Sequence, residues 1–301
     1  MTGYLDGLAN LEGKVAALVG GGGGIGRSVS LALARAGVDL AILDRDGAAL
    51  AETCEEARAL GRRVVSAAGD ATDPAALDGF FDLLEQTFGR LEILVNVAGG
   101  TLQRPFLESR PEHWARDIER NYGYAIQSMH RGAALMRRGG RGGSIISFTT
   151  IEAHRGAATF AVYAGAKAAL ANFSRALANE LGPWGIRVNT LAPDVTPSAG
   201  NMAARPPELR ALSEGITPEQ YAQVTAMYVP LGRAPTPDEL ARSVLFLASD
   251  LSAGVTGNAL HVDGGTFASS GFLNWPHGSG HLPVPTGDAL RMLFPARETD
   301  G

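Results

Sequence analysis

The sequence has little of what several classes of protein require. A single cysteine, Cys54, stands among 301 residues, which excludes an intrachain disulfide and favours a reducing compartment. The formal net charge is only −5 and the basic residues are scattered, so we expect no nucleic acid partner and no anionic membrane partner. No apolar run approaches the roughly 20 residues of a membrane span. These absences predict a soluble, cytoplasmic chain.

Signals for secretion and for metal binding are also missing. The first residues, MTGYLDGLANLEGK, contain neither a basic segment nor an apolar segment, so we predict no signal peptide. Cys54 is expected to be a packed residue on a helix, and we predict no metal site. The hydrophobic fraction of 45% is normal for a globular protein with a large core.

Two kinds of segment alternate along most of the chain. Runs rich in aliphatic and β-branched residues lie at 15–20, 39–44, 63–70, 91–99, 143–149, 186–193 and 259–265. Longer stretches with helical spacing lie at 27–36, 47–60, 75–88, 114–137, 163–181 and 239–250. This alternation predicts an α/β fold with a central, doubly wound parallel sheet of about seven strands and helices on both faces. The nearly continuous apolar strands fit burial on both faces.

A glycine-rich turn separates the first predicted strand from the first predicted helix, with glycines at positions 20–24 and 26. A strand–turn–helix unit brings backbone N–H groups and a helix N-terminus to a pyrophosphate, and a side chain would block that approach. The motif alone is weak, because five consecutive glycines satisfy several spacings. It is not a nucleotide triphosphate loop, since no Gly-Lys-Ser/Thr follows.

The second predicted strand ends in Asp44, 18 residues after Gly26. This is close to the roughly 20-residue spacing expected for a carboxylate that binds a ribose diol. Its charge would repel a 2′-phosphate, which favours NAD over NADP. Arg45 comes next and keeps NADP open, because an arginine there would bind a phosphate.

Tyr163 and Lys167 lie four residues apart at the start of a predicted helix, which places both side chains on one face. A lysine ammonium near a phenol favours the phenolate, so we expect Lys167 to lower the pKa of Tyr163. Such a tyrosine takes a proton from an alcohol while hydride leaves its carbon, or returns it during reduction. The spacing alone is weak evidence for a catalytic pair, and the surrounding motifs are needed to interpret it.

Over about residues 11–266 the sequence resembles the short-chain dehydrogenases/reductases. Five motifs occur in the family's order: Gly20–Gly26, Asp70, Asn96-Val-Ala98-Gly99, Tyr163 with Lys167, and Asn189-Thr-Leu-Ala-Pro193. The resemblance implies a Rossmann domain with NAD as its cofactor. The residues implied in cofactor binding are Gly20, Gly23, Gly24, Ile25, Gly26, Asp44, Arg45, Asp70, Ala71, Asn96, Ala98, Gly99, Tyr163, Lys167, Pro193 and Thr196.

The resemblance also implies individual roles for several of these residues. Asp70 and Ala71 are expected to hold the adenine, and Lys167 the nicotinamide ribose. Asn121 matches the helix asparagine whose backbone holds a water in the proton relay. The implied catalytic set is Asn121, Thr150, Tyr163 and Lys167.

Four positions depart from the family pattern, the first being Val19, which stands where the family often has threonine before the first glycine. The family serine that lies 13 residues before the tyrosine is Thr150 here, and its hydroxyl is expected to donate to the substrate oxygen in a narrower pocket. Val97 replaces the second asparagine of the usual Asn-Asn-Ala-Gly. Asp194 replaces the glycine after Pro193, and it either points to solvent or binds a polar group of the substrate.

Two regions, a lid segment and a C-terminal extension, lie outside the regular alternation of strands and helices. Residues 1–266 are predicted to form the dehydrogenase domain, with a substrate lid at about 196–230. Solvation of Arg205 and Arg210 in this lid is favoured over the alternative that they contact a carboxylate or the phosphates of a thioester substrate. Residues 267–301 form a C-terminal extension, which is expected to pack on a neighbouring subunit of a homotetramer or homodimer because Phe267, Phe272 and Trp275 are too apolar for free solvent.

The predicted function is NAD(H)-dependent interconversion of a secondary alcohol and a ketone, on a small-molecule substrate that is cyclic, steroid-like or an acyl thioester. The alternative is a catalytically impaired NAD-binding scaffold or sensor, which Thr150, Val97 and Asp194 would favour.

Overall fold

The computed structural model describes residues 4–101, 103–197, 215–276 and 280–293. Seven parallel strands form one sheet: β1 (Val15–Val19), β2 (Asp39–Asp44), β3 (Val64–Ala68), β4 (Ile93–Asn96), β5 (Gly143–Phe148), β6 (Ile186–Pro193) and β7 (Ala259–Val262). Their order across the sheet is β3-β2-β1-β4-β5-β6-β7. The predicted doubly wound parallel sheet of about seven strands is confirmed.

Helices connect the strands and cover the sheet. They are α1 (Tyr4–Ala9), α2 (Gly24–Arg35), α3 (Gly47–Ala59), α4 (Pro74–Phe88), α5 (Pro111–Ile118), α6 (Tyr124–Gly139), α7 (Ala161–Leu181), α8 (Pro218–Tyr228), α9 (Pro237–Ala248), α10 (Thr266–Ser269) and α11 (Gly287–Leu293). A π-helical turn, Glu119–Gly123, joins α5 to α6. The predicted helix over 114–137 is therefore interrupted.

The sheet is buried on both faces, which explains why its strands lack a polar face. All five residues of β1 are fully buried. On one face, α2 and α9 contribute Val29, Leu33, Leu240 and Val244 to a hydrophobic cluster. On the other face, α4, α6 and α7 contribute Phe80, Phe81, Met129 and Leu170 to a second cluster.

Local signals in the sequence set where several helices begin and end. Asp46 caps α3 by accepting hydrogen bonds from the N–H groups of Ala48 and Ala49, both at 3.1 Å. Thr236 and Glu239 form a capping box at the start of α9. Gly89 takes a left-handed conformation that ends α4. These caps hold the helices in register with the strands whose ends carry the candidate site.

The sheet reverses its strand order between β1 and β4. From β1 the chain winds outward through β2 to β3, and then crosses to β4 on the other side of β1. At such a switch point the loops after β1 and β4 diverge and leave a crevice at the carboxyl ends of the strands. The glycine loop follows β1, and Asn96 ends β4. The topology therefore opens a ligand crevice beside both motifs.

The predicted lid and tail are described in part. Helix α8 lies in the lid segment, whereas Arg205 and Arg210 lie outside the described residues. In the tail, β8 (Leu273–Asn274) pairs antiparallel with β9 (His281–Leu282), and the Phe267 ring stacks on His261 of β7 at 4.5 Å between centroids. Phe267 thus has a partner within its own chain, and the subunit contact stays a prediction.

Across the described ranges, no helix combines the length and the apolar character needed to cross a bilayer.

Candidate active site

The glycine loop is packed so tightly that several of its glycines cannot be replaced. Gly20 has φ +86°, and a Cβ there would lie 2.6 Å from the backbone nitrogen of Ala98. A Cβ at Gly26 would lie 1.9 Å from the carbonyl oxygen of Gly20. Gly24 has φ +52°, and a Cβ there would meet no atom within 4 Å. The loop therefore packs against the segment after β4 on one side and leaves open space on the other.

The open side of the loop has the properties of a pyrophosphate cradle. Gly24 starts α2, so the unpaired N–H groups of the first turn, including that of Ile25, lie beside this space. A Cβ at Gly23 would also be free, since its nearest neighbour is the Cβ of Ala49 at 3.8 Å. The loop residues thus fit a dinucleotide phosphate.

Two alanine substitutions separate packing from ligand binding in this loop. Gly26→Ala is expected to lower the free energy of unfolding by about 2 kcal/mol or more, because backbone must move away from the new methyl group. Gly23→Ala is expected to change it by less than about 0.5 kcal/mol. The same Gly23→Ala variant should weaken NADH binding about tenfold or more, because its methyl group fills the cradle.

Urea unfolding and calorimetric titration with NADH measure the two effects. A Gly23→Ala variant that binds NADH as tightly as the wild type would contradict the cradle assignment.

Asp44 lies at the end of β2 beside the glycine loop. Its carboxylate accepts hydrogen bonds from the N–H groups of Gly22 at 2.8 Å and Asp46 at 3.1 Å. A Cβ at Gly22 would lie 2.9 Å from the Asp44 Cβ, so the contact is close. This fixes a carboxylate at the edge of the crevice, where the sequence predicts the ribose.

Asp70 follows β3 and is held by its own turn. Its carboxylate accepts from the N–H and the hydroxyl of Thr72, at 2.9 and 2.8 Å. The hydrogen bond from the Thr72 N–H is the main cause that lowers the pKa of Asp70, and the charges of Arg45 and Arg120 contribute in the same direction. Asp70 and Arg45, both predicted from sequence, are therefore neighbours, and Arg120 joins them as a residue that the sequence did not single out. Ala71, next to Asp70, is partly buried.

The segment after β4 joins the loop to the middle of the site. The Asn96 side chain is fully buried, donates to the Ser147 hydroxyl at 3.2 Å and accepts from Ser128 at 2.6 Å. It therefore braces β4 against β5 and α6. The Ala98 carbonyl accepts from the Tyr124 hydroxyl at 2.6 Å. Ala98 is also the residue against which Gly20 packs.

Gly99 lies where Asn121 and Lys167 meet. A Cβ at Gly99 would be 2.9 Å from the Asn121 Oδ1 and 3.0 Å from the Lys167 Nζ. Asn121 is fully buried in the π-helical turn, and its side chain bonds to the N–H and C=O of Gly100 at 2.9 and 3.0 Å. A π-turn displaces backbone carbonyls from regular helix bonds, a feature often found at functional sites. Helical periodicity alone does not predict this turn.

Lys167 is buried and bonds to the backbone. Its Nζ donates to the Phe148 carbonyl at 2.8 Å, and only 3% of the residue is exposed. Burial lowers the pKa of Lys167 to about 7. Because α7 begins at Ala161, Tyr163 lies one turn earlier on the same face, as the spacing predicts.

The protonation of Tyr163 differs from the sequence expectation. Burial of the hydroxyl raises the pKa of Tyr163 above its usual range, the hydrogen bond with Thr150 lowers it, and the charge of Glu152 raises it. The prediction that Lys167 lowers this pKa is wrong for this structure, because desolvation prevails and the lysine ammonium is itself disfavoured.

Thr150 lies two residues after the end of β5. Its single hydroxyl proton is donated to a group within the chain. The side chain is 5% exposed and donates to a carboxylate oxygen of Glu152. The expectation that this proton is donated to a substrate oxygen stays a prediction, and such donation would require the bond to Glu152 to be exchanged. Glu152 is the main group in the site that sequence reasoning missed, although it lies two residues after Thr150 in the sequence.

Asp194 is shielded from solvent and has polar partners within the chain. Its side chain is 8% exposed and accepts from the Tyr228 hydroxyl at 2.6 Å. Arg155 donates to that same hydroxyl at 2.6 Å and to Glu152 at 2.9 Å. Burial is the main cause that raises the pKa of Asp194. We define Glu152, Arg155, Asp194 and Tyr228 as the carboxylate–arginine network, which ties α8 to the ends of β5 and β6.

The last two predicted residues lie next to Asp194. Pro193 ends β6 and pairs with Val262 of β7, and Thr196 is buried with its hydroxyl 3.4 Å from the Asp194 carbonyl. Within the described part of the chain, no group of three or more His, Cys, Asp or Glu residues is placed to hold a metal ion.

Comparisons with known proteins agree with this arrangement. A family model described as Enoyl-(Acyl carrier protein) reductase matches residues 20–266. The chain is 35% identical over 276 residues to an uncharacterized oxidoreductase of Mycobacterium tuberculosis, covering 91% of this chain and 97% of that protein. It is also 35% identical over 261 residues to the 3-oxoacyl-[acyl-carrier-protein] reductase FabG of Escherichia coli, covering 86% of this chain and 99% of that protein.

A solved structure matches at the level of the fold. The carveol dehydrogenase from Mycobacterium avium, determined in complex with NAD, superposes with a TM-score of 0.80 at 31% identity, covering 86% of this chain and 99% of that chain.

The fold and the crevice define a nicotinamide-dinucleotide-dependent oxidoreductase. The chain belongs to the short-chain dehydrogenase/reductase family, whose dehydrogenases and reductases act on CH–OH groups.

Proposed function

We propose that the protein interconverts a secondary alcohol and a ketone with NAD(H), with Tyr163 as the group that exchanges a proton with the substrate oxygen. The observation that carries this proposal is the meeting of Gly99, Asn121 and Lys167 beside the loop after β1, with Tyr163 one turn before Lys167 on α7. Hydride exchange requires a bound cofactor and a proton donor at adjacent positions, and this arrangement supports such a site with residues that would hold the cofactor and with Tyr163 as the proton donor.

Each group then has a defined task. The glycine loop and the first turn of α2 hold the pyrophosphate, Asp44 the ribose diol, and Asp70 with Ala71 the adenine. Lys167 holds the nicotinamide ribose, since its amino group, charged or neutral, has donors beyond the one that it gives to the Phe148 carbonyl. The cofactor supplies or takes up the hydride when bound, and the oxidised ring adds positive charge that favours proton loss from Tyr163.

NAD rather than NADP is the proposed cofactor, because the Asp44 carboxylate, which is held beside the glycine loop, would repel a 2′-phosphate bound there. Arg45 and Arg120 offset part of that repulsion. In Asp44→Asn the side chain keeps its shape and loses the charge, and its one remaining acceptor oxygen replaces only one of the two that bond to the N–H groups of Gly22 and Asp46. The ratio of NADPH to NADH dissociation constants should therefore fall about tenfold or more.

Fluorescence titration with each cofactor measures this ratio without any substrate. Asp46→Asn is the matched control, because it removes a neighbouring charge from the cap of α3, and it should leave the ratio unchanged. A wild-type protein that prefers NADPH would contradict the assignment.

Substrates of the cyclic, steroid-like or acyl-thioester kind are proposed, on the similarity to the carveol dehydrogenase and to FabG. A second candidate reaction is enoyl reduction, because the matching family model is described by that activity. A panel that pairs secondary alcohols and ketones with an enoyl thioester, followed by absorbance of the reduced cofactor, discriminates the two reactions. Tight NADH binding without turnover on the whole panel would instead favour a non-catalytic scaffold.

One further proposal concerns the assembly of subunits. We propose that residues 267–301 contact a second subunit, because Phe272, Val284 and Met292 are exposed apolar residues of this tail. Deleting 270–301 should change the mass of the assembly or the KM; a truncated protein with the same mass and KM would contradict it.

A further inference from the structure

A small pocket lies between the segment after β4 and the start of α7, and Tyr163 forms part of its wall. Phe160 lines it beside Tyr163, with 6.0 Å between the ring centroids, while Arg104 and Trp114 line it from the segment after β4 and from α5. The space inside is about 20 Å³, which is room for a group little larger than one water molecule. The pocket therefore suits one small polar group of a ligand whose remainder lies in the crevice.

The wall that includes α5 is held together by short contacts. Trp114 donates its indole N–H to the Ser109 hydroxyl at 2.6 Å, and that hydroxyl donates to the Phe106 carbonyl at 2.6 Å. The Phe106 ring stacks on Trp114 with 6.1 Å between centroids. This wall is thus formed by the chain itself, as is usual for small-molecule sites.

Thr159, another residue of the wall, has a strained backbone. Its φ is +68°, in the left-handed region that β-branched residues rarely adopt. The Thr159 carbonyl accepts from the Arg104 N–H at 3.1 Å, and Phe160, the next residue, caps α7. Strain of this kind is often found at ligand sites. The strained residue fixes Arg104 close to the turn of α7 that carries Tyr163.

The Arg104 guanidinium has no partner among the residues that the structure describes, where it makes no hydrogen bond and no ion pair, although the residue is partly buried. Asp117, the acidic residue of the same wall, instead accepts from the Thr101 hydroxyl at 3.0 Å. A guanidinium presents five N–H donors in a planar fork that matches a carboxylate. Partial burial without an acceptor is unfavourable, so a ligand that supplies two acceptor oxygens is favoured here.

The charges around the pocket are mainly positive. Partial burial lowers the pKa of His113, which also lines the pocket, and the charges of three arginines lower it further against one opposing glutamate: Arg104, Arg116, Arg110 and Glu112. The imidazole is therefore neutral at neutral pH, and the positive charge resides on the arginines. An anionic group that enters the pocket meets a favourable field.

We propose that Arg104 binds a carboxylate of the substrate, so that the protein interconverts hydroxy acids and keto acids. This inference rests on the proposed alcohol–ketone chemistry and narrows its substrate class to compounds that carry a carboxylate. The guanidinium donates to both carboxylate oxygens, and the carbinol carbon with its oxygen lies at Tyr163. The carboxylate stays ionised and takes no part in hydride or proton transfer. Arg104 therefore acts on which alcohol is accepted and how it is oriented.

Binding of probe compounds, with and without NADH, tests this subsite in the absence of turnover. The probes for calorimetric titration are cyclohexanecarboxylate, its neutral carboxamide and cyclohexyl phosphate. The carboxylate should bind with a dissociation constant of about 1 mM or lower, at least about tenfold more tightly than the carboxamide. Arg104→Gln should reduce that preference at least about tenfold, and Arg104→Lys should retain part of it. Cyclohexyl phosphate, whose anionic group is larger, should bind less tightly than the carboxylate.

Arg110→Gln is the matched control, because it removes the same charge from the start of α5 outside the residues that line the pocket. It should keep the preference for the carboxylate within about threefold of the wild type. The subsite is overturned if the wild type binds the carboxylate and the carboxamide equally, or if cyclohexyl phosphate binds more tightly. It is also overturned if both arginine variants lose the preference to the same extent, because general charge would then explain it.

Turnover distinguishes a failure of this inference from a failure of the proposed function. With 4-oxocyclohexanecarboxylate and its methyl ester, the wild type should have a kcat/KM for the acid at least about tenfold above that for the ester. Arg104→Gln should remove the difference by raising the KM for the acid, and it should leave the ester within about threefold. Turnover of neutral ketones without a preference for acids would overturn the subsite alone. Carboxylate binding that depends on Arg104, without turnover of any ketone, would support the subsite and contradict the proposed function.

Discussion

Tyr163→Phe is expected to lower kcat about 1000-fold or more while leaving the dissociation constant of NADH within about threefold of the wild-type value. The substitution removes the hydroxyl and keeps the ring, which packs 6.0 Å from Phe160 between centroids. The site should therefore keep its shape and lose its proton donor. Steady-state kinetics and NADH titration measure the two effects on the same preparation.

Tyr221→Phe is the control for this variant, because Tyr221 is an exposed tyrosine on α8. It should leave both constants unchanged. A Tyr163→Phe variant that loses NADH binding along with turnover would point to a structural role. One that keeps wild-type turnover would remove Tyr163 from the chemistry altogether.

Thr150→Val has the second largest expected effect, a loss of about 100-fold in kcat. Valine has nearly the shape of threonine, so the change removes from a buried position one hydroxyl, which bonds to Glu152 and lowers the pKa of Tyr163. Thr150→Ser keeps the hydroxyl and should retain kcat within about threefold. Steady-state kinetics on both variants gives the comparison.

Thr149→Val is the neighbouring control. Thr149 is buried like Thr150, but its hydroxyl bonds to the Leu191 carbonyl at 3.3 Å, away from the tyrosine. Its effect on kcat should be less than about fivefold. If Thr150→Val retained full activity, the hydroxyl would have no part in catalysis.

Patterns that repeat along the chain predicted the fold. Strand β1 is apolar throughout because both of its faces are covered. The residue types of Val15–Val19 therefore predict this burial directly. The glycine loop could also be predicted from the sequence, since Gly20 and Gly24 take positive φ and Gly26 has no room for a methyl group. In these places the local chain conformation and the residue type determine each other.

Contacts between distant segments could not be predicted in this way. The sequence does not decide whether the Asp194 side chain points to solvent or binds the substrate. Its partners Tyr228 and Arg155 come from α8 and from the loop after β5. The pKa of Tyr163 was predicted in the wrong direction, since the spacing to Lys167 indicates a charge but not the burial that opposes it.

Isotope transfer tests the central claim most directly. Secondary alcohols labelled with deuterium at the carbinol carbon would be incubated with the protein and NAD, and the reduced cofactor analysed by mass spectrometry. We predict deuterium on the nicotinamide ring with the wild type and at least about 1000-fold slower labelling with Tyr163→Phe. Tight binding of NADH without label transfer from any alcohol, or equal labelling by both proteins, would contradict the account.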